Sequence, residues 1–485
     1  PRSMRCWLHA RHTRFGLKPM KIQLPRAKRR RQCQQDPRRL DNPGVSVKRN
    51  RASTDIGVYR AAWVHALGHC TRIFLSNRIY LSKLRKRQWP LRISLPQRYP
   101  IVNVQQLTHL PDLPPAVWEA GLVAFLVAVL LTITKHLHGH LTMDGLAGVQ
   151  KMHAVPTPRV GGIALFAGVF AGWLFGAAEP SALLGVILVA GLPAFVFGLA
   201  EDITKRVSVS ARLAATMASG FIGWAITGVA LSRVDVPFLD PLMGNIVIGV
   251  AVTTFAVAGI ANAVNIIDGF NGLASGFVAI ASAGIATLAS LAGDTPLAIA
   301  SLTISAAITG FWLMNWPFGK IFLGDGGSYF AGFALAWLSV LLVERNANAT
   351  AFAALLICIH PVTEVLFSIF RRRMSRLSPG APDARHLHTL VMRRIVAPRL
   401  RRLYKGDIGL VFKVQNPVTG LLLASMSLPP VLLSLLVWDQ PAYAAISCIG
   451  FALGYITLYA RLVRFRWCSP VTFLFVKPRR IILGR

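Results

Sequence analysis

Apolar residues in this chain run in long blocks instead of alternating with polar ones. Eleven blocks come close to the ~20 residues that a helix needs to cross a bilayer. They cover roughly 118–136, 160–178, 182–200, 213–231, 245–262, 273–293, 297–316, 327–343, 351–370, 418–438 and 442–460. The pattern predicts an all-α integral membrane protein, a polytopic bundle of 10–11 transmembrane helices. Many blocks are rich in Gly and Ala, as between Ile163 and Ala177. Small residues let helices approach closely in lipid, so a compact bundle is expected. No internal repeat is visible.

Composition agrees, and charge refines the picture. Of 485 residues, 54% are hydrophobic and 15% charged, well below the roughly 25% charge of a soluble domain. A net charge of +34 would by itself suggest nucleic acid. Its distribution argues against that. Residues 1–115 hold 25 Lys and Arg against four Asp, and most of the rest lies in short loops beside apolar blocks. The loops after blocks one, three, five, seven and nine carry Lys151, Arg159, Lys205, Arg206, Arg212, Lys320 and twelve more basic residues between Arg371 and Lys413. The opposite loops carry Arg233 and Arg345. The first set is therefore expected in the cytoplasm, with the protein in a bacterial inner membrane. The same count puts residues 1–115 outside, which conflicts with their charge. That conflict favours reading them as sequence upstream of the true start over a disordered tail or a nucleic-acid-binding arm. The expected organisation is an extension at 1–115, a membrane domain at 116–462 and a basic tail at 463–485. The six cysteines form no CxxC pair, so neither a disulfide framework nor a zinc site is expected.

Five polar clusters interrupt the apolar pattern on the expected cytoplasmic side. Lys151, His153 and Arg159 precede Gly161–Gly162; they can bind phosphate, or simply flank a helix start. Glu201–Asp202 are adjacent carboxylates, whose repulsion a divalent cation, a proton or Lys205 would relieve. Asn262, Asn265, Asp268 and Asn271 stand in NAVNIIDGFNG, a polarity that is costly near lipid unless it lines a cavity. Amides and a carboxylate there suit a hydrated Mg²⁺ and a nucleotide. Asp325 stands in FLGDGGS, where glycine-flanked carboxylate at a helix N-terminus suits metal and phosphate together; a plain helix cap is the alternative. Arg385, His386 and His388 stand in a large loop and offer donors to a diphosphate. Phosphoryl transfer needs this set: carboxylates for Mg²⁺, cations for diphosphate oxygens and a positioned nucleophile.

In this order the stretches AEDITKR, NAVNIIDGFNGL, FLGDGGS and HLHTLVMRR resemble the polyprenyl-phosphate N-acetylhexosamine-1-phosphate transferase family, glycosyltransferase family 4, over residues 118–460. The resemblance implies a Mg²⁺-dependent enzyme, with Mn²⁺ as a substitute, that moves a sugar 1-phosphate from a UDP-N-acetylamino sugar to polyprenyl phosphate and releases UMP. It implies Glu201 and Asp202 as the acidic pair assisting the lipid phosphate or binding metal, Asp325 as a metal ligand, and Asp268 in both roles. Asn265 and Asp268 match the nucleotide-side motif, and His386 and His388 match the motif that contacts the diphosphate or uridine.

Three positions depart from the family pattern. Position 201 is Glu where Asp is common, position 271 is Asn where an acid is common, and position 389 is Thr where several relatives have a third histidine. The last departure favours donors for O-antigen or other surface polysaccharide. Direct attack of the lipid phosphate on the β-phosphorus is the expected route, with an aspartyl intermediate as the other. The implied partners are the sugar nucleotide, polyprenyl phosphate and the bilayer, and no nucleic acid; a homodimer is left open. A membrane transporter is the alternative function, although transporter sites usually lie near the bilayer midplane.

Overall fold

A computed structural model describes residues 113–144, 156–374 and 385–464. The expected extension 1–115 and tail 463–485 lie almost wholly outside these residues. Each of the eleven expected spans has a helical counterpart, by length and composition. Eight helices are long and apolar enough to cross a membrane, two bent pairs pass the same test, and one apolar helix is shorter. With shorter helices between them, the spans run in chain order as α1 (Pro115–Ile133), α2 (Lys135–Thr142), α3 (Gly161–Phe175), α4 (Ala178–Ala190), α5 (Leu192–Thr204), α6 (Val209–Thr227), α7 (Ile246–Ile267), α8 (Leu273–Leu291), α9 (Thr295–Asn315) and α10 (Gly324–Arg345). Then come α11 (Ala351–Ile357), α12 (Ile359–Met374), α13 (Leu387–Val391), a π turn at Met392–Val396, α14 (Ala397–Leu403), α15 (Ile408–Ser425), α16 (Leu428–Leu436) and α17 (Pro441–Arg464). α2 is a short polar helix that follows the first span.

Four details differ from expectation. The third span bends by 47° between α4 and α5, and the ninth bends by 81° between α11 and α12. Helix also resumes at residue 387 inside the expected loop, and the tenth span begins at Ile408, ten residues early. Asp407 explains that early start, because its Oδ1 accepts from Leu410 N at 3.1 Å and caps α15. Lys413 thus lies on a helix.

On the first span the packing places large side chains outside and small ones inside. On α1, Ala116, Ala120, Ala124 and Ala128 are buried, whereas Trp118, Leu122, Leu126 and Leu130 are exposed. A water-soluble helix would reverse that choice. In lipid, apolar side chains gain nothing by burial, and small residues allow close backbone contact. At the centre, α10 is buried along its whole spanning window and packs against α3, α5, α7 and α8. Gly332 of α10 rests on Ala261 of α7, and Gly223 of α6 lies under the Trp337 ring.

Candidate active site

The site is built where the chain approaches α3. Thr157–Pro158 pairs antiparallel with Met143–Asp144, the one extended pairing among the described residues. The next residues run along the segment before α10: Phe322 N donates to Pro158 O at 2.8 Å, Gly161 N to Phe322 O at 2.9 Å and Gly162 N to Leu323 O at 3.0 Å. This backbone zipper sets Arg159 beside the first turn of α10. There Arg159 Nη2 donates to Asp325 Oδ1 at 3.0 Å, and its Nε lies 3.4 Å from Asp202 Oδ1. Arg212 of α6 pairs with the other oxygen of Asp325. From α7, Asn265 Nδ2 donates to Asp325 Oδ1 at 3.1 Å and to Ser328 Oγ at 2.8 Å.

Asp202 is fully buried, and its oxygens accept from Asp325 N at 3.0 Å and Gly326 N at 2.9 Å. It thus closes the N-terminus of α10, where its negative charge meets the positive end of the helix dipole. Two of the N–H groups of this helix end therefore serve a carboxylate of the same chain. Two glycines permit the arrangement. Gly324 has φ +75°, and a Cβ there would strike Arg159 O and sit 2.5 Å from Asp202 Oδ2. A Cβ on Gly198 would lie 2.6 Å from the Asp325 carbonyl. The run of glycines is therefore a steric condition for bringing α3, α5 and α10 together.

The acidic pair divides its work. Glu201 is half-buried, and its Oε2 accepts from Val207 N at 2.8 Å, fastening the loop after α5. Asp268 caps the C-terminus of α7. Packing pushes its carboxyl up to about 7; Arg159 opposes the rise, while Asp325 and Asp202 add to it. The three aspartates therefore act on one another around Arg159, while Arg212 meets Asp325 alone of the three. Among the described residues no three His, Cys, Asp or Glu side chains are grouped to hold a metal ion unaided.

Other predicted residues are placed as follows. His388 lies over the turn after Asp268: its ring meets Phe270 edge-on at 5.4 Å, and a Cβ on Gly269 would be 3.4 Å from its Nε2. His386 stacks on His388 at 5.2 Å, and its Nδ1 lies 2.9 Å from Glu364 Oε1. Arg385 is exposed and its carbonyl accepts from Tyr459. Asn271 supports the turn, donating its N–H to Asn416 Oδ1 at 2.8 Å. Asn262 is not brought to the cluster; its Nδ2 donates to Thr216 Oγ1 at 3.0 Å and ties α7 to α6 one turn deeper. Lys151 and His153 lie outside the described residues. Arg212 and Glu364 were missed as site residues. Arg212 was visible only as a basic flank, but Glu364 is an ionisable residue within an apolar block, a signal in itself.

An apolar cavity of about 420 Å³ opens on the surface beside this site, lined by residues of α1, α3 and α5 that include Phe166, Phe170, Phe195 and Leu199. The backbone of Leu199 lies against Gly326.

Comparison with known proteins follows the same lines. A family model described as glycosyl transferase family 4 matches residues 184–343. The chain is 29% identical to a protein of Bacillus subtilis named as a probable undecaprenyl-phosphate N-acetylglucosaminyl 1-phosphate transferase, over 61% of this chain and 82% of that one. It is 30% identical to the undecaprenyl-phosphate alpha-N-acetylglucosaminyl 1-phosphate transferase of Yersinia pestis, over 50% and 68%. It is 28% identical to the decaprenyl-phosphate N-acetylglucosaminephosphotransferase of Mycobacterium leprae, over 56% and 76%.

Proposed function

The chain belongs to glycosyl transferase family 4, the polyprenyl-phosphate N-acetylhexosamine-1-phosphate transferases, and from that premise we propose that it moves an N-acetylamino-sugar 1-phosphate from a UDP-sugar to a polyprenyl phosphate. The observation that carries this reading is the convergence of Asp202, Asp325, Arg159, Arg212 and Asn265, drawn from five separate segments, on one end of α10. The acceptor lives in the bilayer, which is why such a site is built on spanning helices.

In this proposal a phosphate oxygen of the lipid attacks the β-phosphorus of the donor. The bond from that phosphorus to the bridging oxygen breaks, and UMP leaves with the oxygen. A phosphate monoester is largely ionised near neutral pH, so little general-base help is needed. Glu201 and Asp202 then act by position: Asp202 aligns the first turn of α10 and Glu201 fastens the loop that leads to Arg212. Arg159 and Arg212 hold and neutralise phosphate oxygens as fixed, planar donors. Asn265 orients Asp325. Lys151, His153, Arg385, His386 and His388 contribute further contacts to the donor.

Mg²⁺, or Mn²⁺ in its place, fits this donor set. Mg²⁺ is usually bound through one or two carboxylates plus substrate phosphates and water, so a pocket without a complete protein cage suits it. Asp325 and Asp268 would hold it. When bound it supplies charge stabilisation for the diphosphate and departing UMP. The location that goes with this reading is an inner membrane with the site on the cytoplasmic face, in a pathway for O-antigen or another surface polysaccharide. A homodimer is compatible with it. A transporter would use groups near the midplane, whereas these charges gather at helix ends.

The test is UMP release by the purified full chain in detergent with undecaprenyl phosphate, Mg²⁺ and a panel of UDP-N-acetylamino sugars. Lipid- and Mg²⁺-dependent UMP from one sugar supports the reading and identifies the donor. A folded, monodisperse protein that releases UMP from none of them counts against it.

A further inference from the structure

The histidine turn is held by two residues to which the transferase mechanism gives no part. Glu364 of α12 is 2% exposed. Its Oε1 accepts from Leu387 N at 3.2 Å and lies 2.9 Å from His386 Nδ1. Its Oε2 accepts from the Tyr455 hydroxyl of α17 at 2.6 Å. The same helix adds a second tie, since the Tyr459 hydroxyl donates to Arg385 O at 3.0 Å. Two helices thus pin residues 385–387. His386 then stacks on His388, which lies against Phe270 and Gly269. An unbroken series of contacts runs from Tyr455 through Glu364, His386 and His388 to the Asp268 turn.

We infer that Glu364 and Tyr455 are positioning residues for the donor nucleotide. The Glu364 carboxylate takes the Nδ1 proton of His386 as a hydrogen bond, so this tautomer is fixed and contact with a diphosphate falls to Nε2. A buried carboxylate is an efficient way to do this: the ring cannot rotate without leaving the carboxylate short of a donor, a substantial cost in a buried place. Tyr455 does for Glu364 what Glu364 does for His386. This inference rests on the transferase reading and deepens it by giving the histidine turn a fixed orientation.

The experiment uses the full chain in detergent, labelled with ¹⁵N-histidine. Kinetic constants for UDP-GlcNAc and the ring-nitrogen signals of His386, assigned with His386→Asn, are compared in wild type, Glu364→Gln, Tyr455→Phe, His386→Asn and the Glu364→Gln/His386→Asn double variant. Glu364→Gln should raise KM roughly tenfold, leave kcat within a few-fold and shift the His386 signals. Tyr455→Phe should act in the same direction by less, and it carries the same test should Glu364→Gln fail to fold. The double variant should be no worse than His386→Asn, because Glu364 acts through that ring. Effects of Glu364→Gln and His386→Asn that multiply would make Glu364 merely structural and overturn the inference. If the wild type releases no UMP from UDP-GlcNAc or any other UDP-N-acetylamino sugar of the panel, the transferase reading fails, and the spectra alone decide the positioning claim: unshifted His386 signals in Glu364→Gln and Tyr455→Phe overturn it, and shifted ones sustain it.

Discussion

α10 carries a polar network at each end, about 33 Å apart for 22 residues at 1.5 Å each, and the two are built differently. At its last turn Arg345 makes a paired contact with Asp294, at 2.7 and 2.8 Å. Nearby, Glu344 accepts from Ser232 N and Oγ, both at 2.8 Å. Arg233 meets Asp235 and donates to the carbonyls of Val343, Asn346 and Ala349. Each carboxylate there has its own donors, and the result ties loops together. At the first turn, by contrast, Asp202, Asp268 and Asp325 influence one another around Arg159, with Arg212 on Asp325, while glycines remove the side chains that would keep Asp202 and Asp325 apart. Charges of both signs are common at helix ends in membrane proteins. What distinguishes a reactive end is that like charges are crowded against one another although the fold could have separated them.

The sharpest way to break this contrast is Asp325→Asn. UMP release should fall by about a hundredfold or more, as for loss of one charged group at a transition state, while the protein stays folded and monodisperse. Asp202→Ala should come next and should lower stability and activity together, because it frees two buried N–H groups of α10; thermal unfolding in detergent measures the first and UMP release the second. Asp202→Asn should lose less, since one acceptor remains.

Asp268→Asn should separate stability from activity. The folded carboxyl is raised from 3.8 to about 7, so between those values the folded protein binds more protons than the unfolded chain, and stability falls as pH rises through this window. The Asn variant should unfold with a flatter pH dependence between about pH 4 and 7 and should be inactive or nearly so. The smallest effect belongs to the other end of α10. Arg345→Met, at a partly exposed pair, should cost under about 1 kcal/mol and leave UMP release unchanged. A large loss of activity there would erase the distinction between the two ends.

Much of this arrangement was legible in the sequence, and its limits have physical causes. Apolar runs locate the spans because lipid demands them locally, residue by residue. They cannot reveal the 81° bend between α11 and α12, which depends on how those helices pack. Asp325, Asp268 and Asn265 were legible because polar residues and glycines cluster within a few positions of each. Asp202 was visible as an acid, but its bond to the N-terminus of α10 spans more than 120 residues and leaves no local mark. Asn262 misled because it shares a motif with Asn265 while its amide turns to Thr216. Glu364 has only His360, Thr363 and Ser368 as polar neighbours within four residues, and the partners that hold it, His386 and Tyr455, lie 22 and 91 residues away. A buried acid within a membrane-spanning stretch is itself the sign of a distant partner.

The most direct measurement follows the β-phosphate. The UDP-N-acetylamino sugars of the panel, each labelled at that position, are incubated with the folded full chain, Mg²⁺ and undecaprenyl phosphate, and the label is partitioned between water and organic solvent. The predicted result is label in the organic phase only when the lipid acceptor is present, with none for Asp325→Asn. Label that stays in water with the wild-type chain, or that reaches the lipid equally well with Asp325→Asn, would contradict the assignment of the crowded carboxylates to sugar-phosphate transfer.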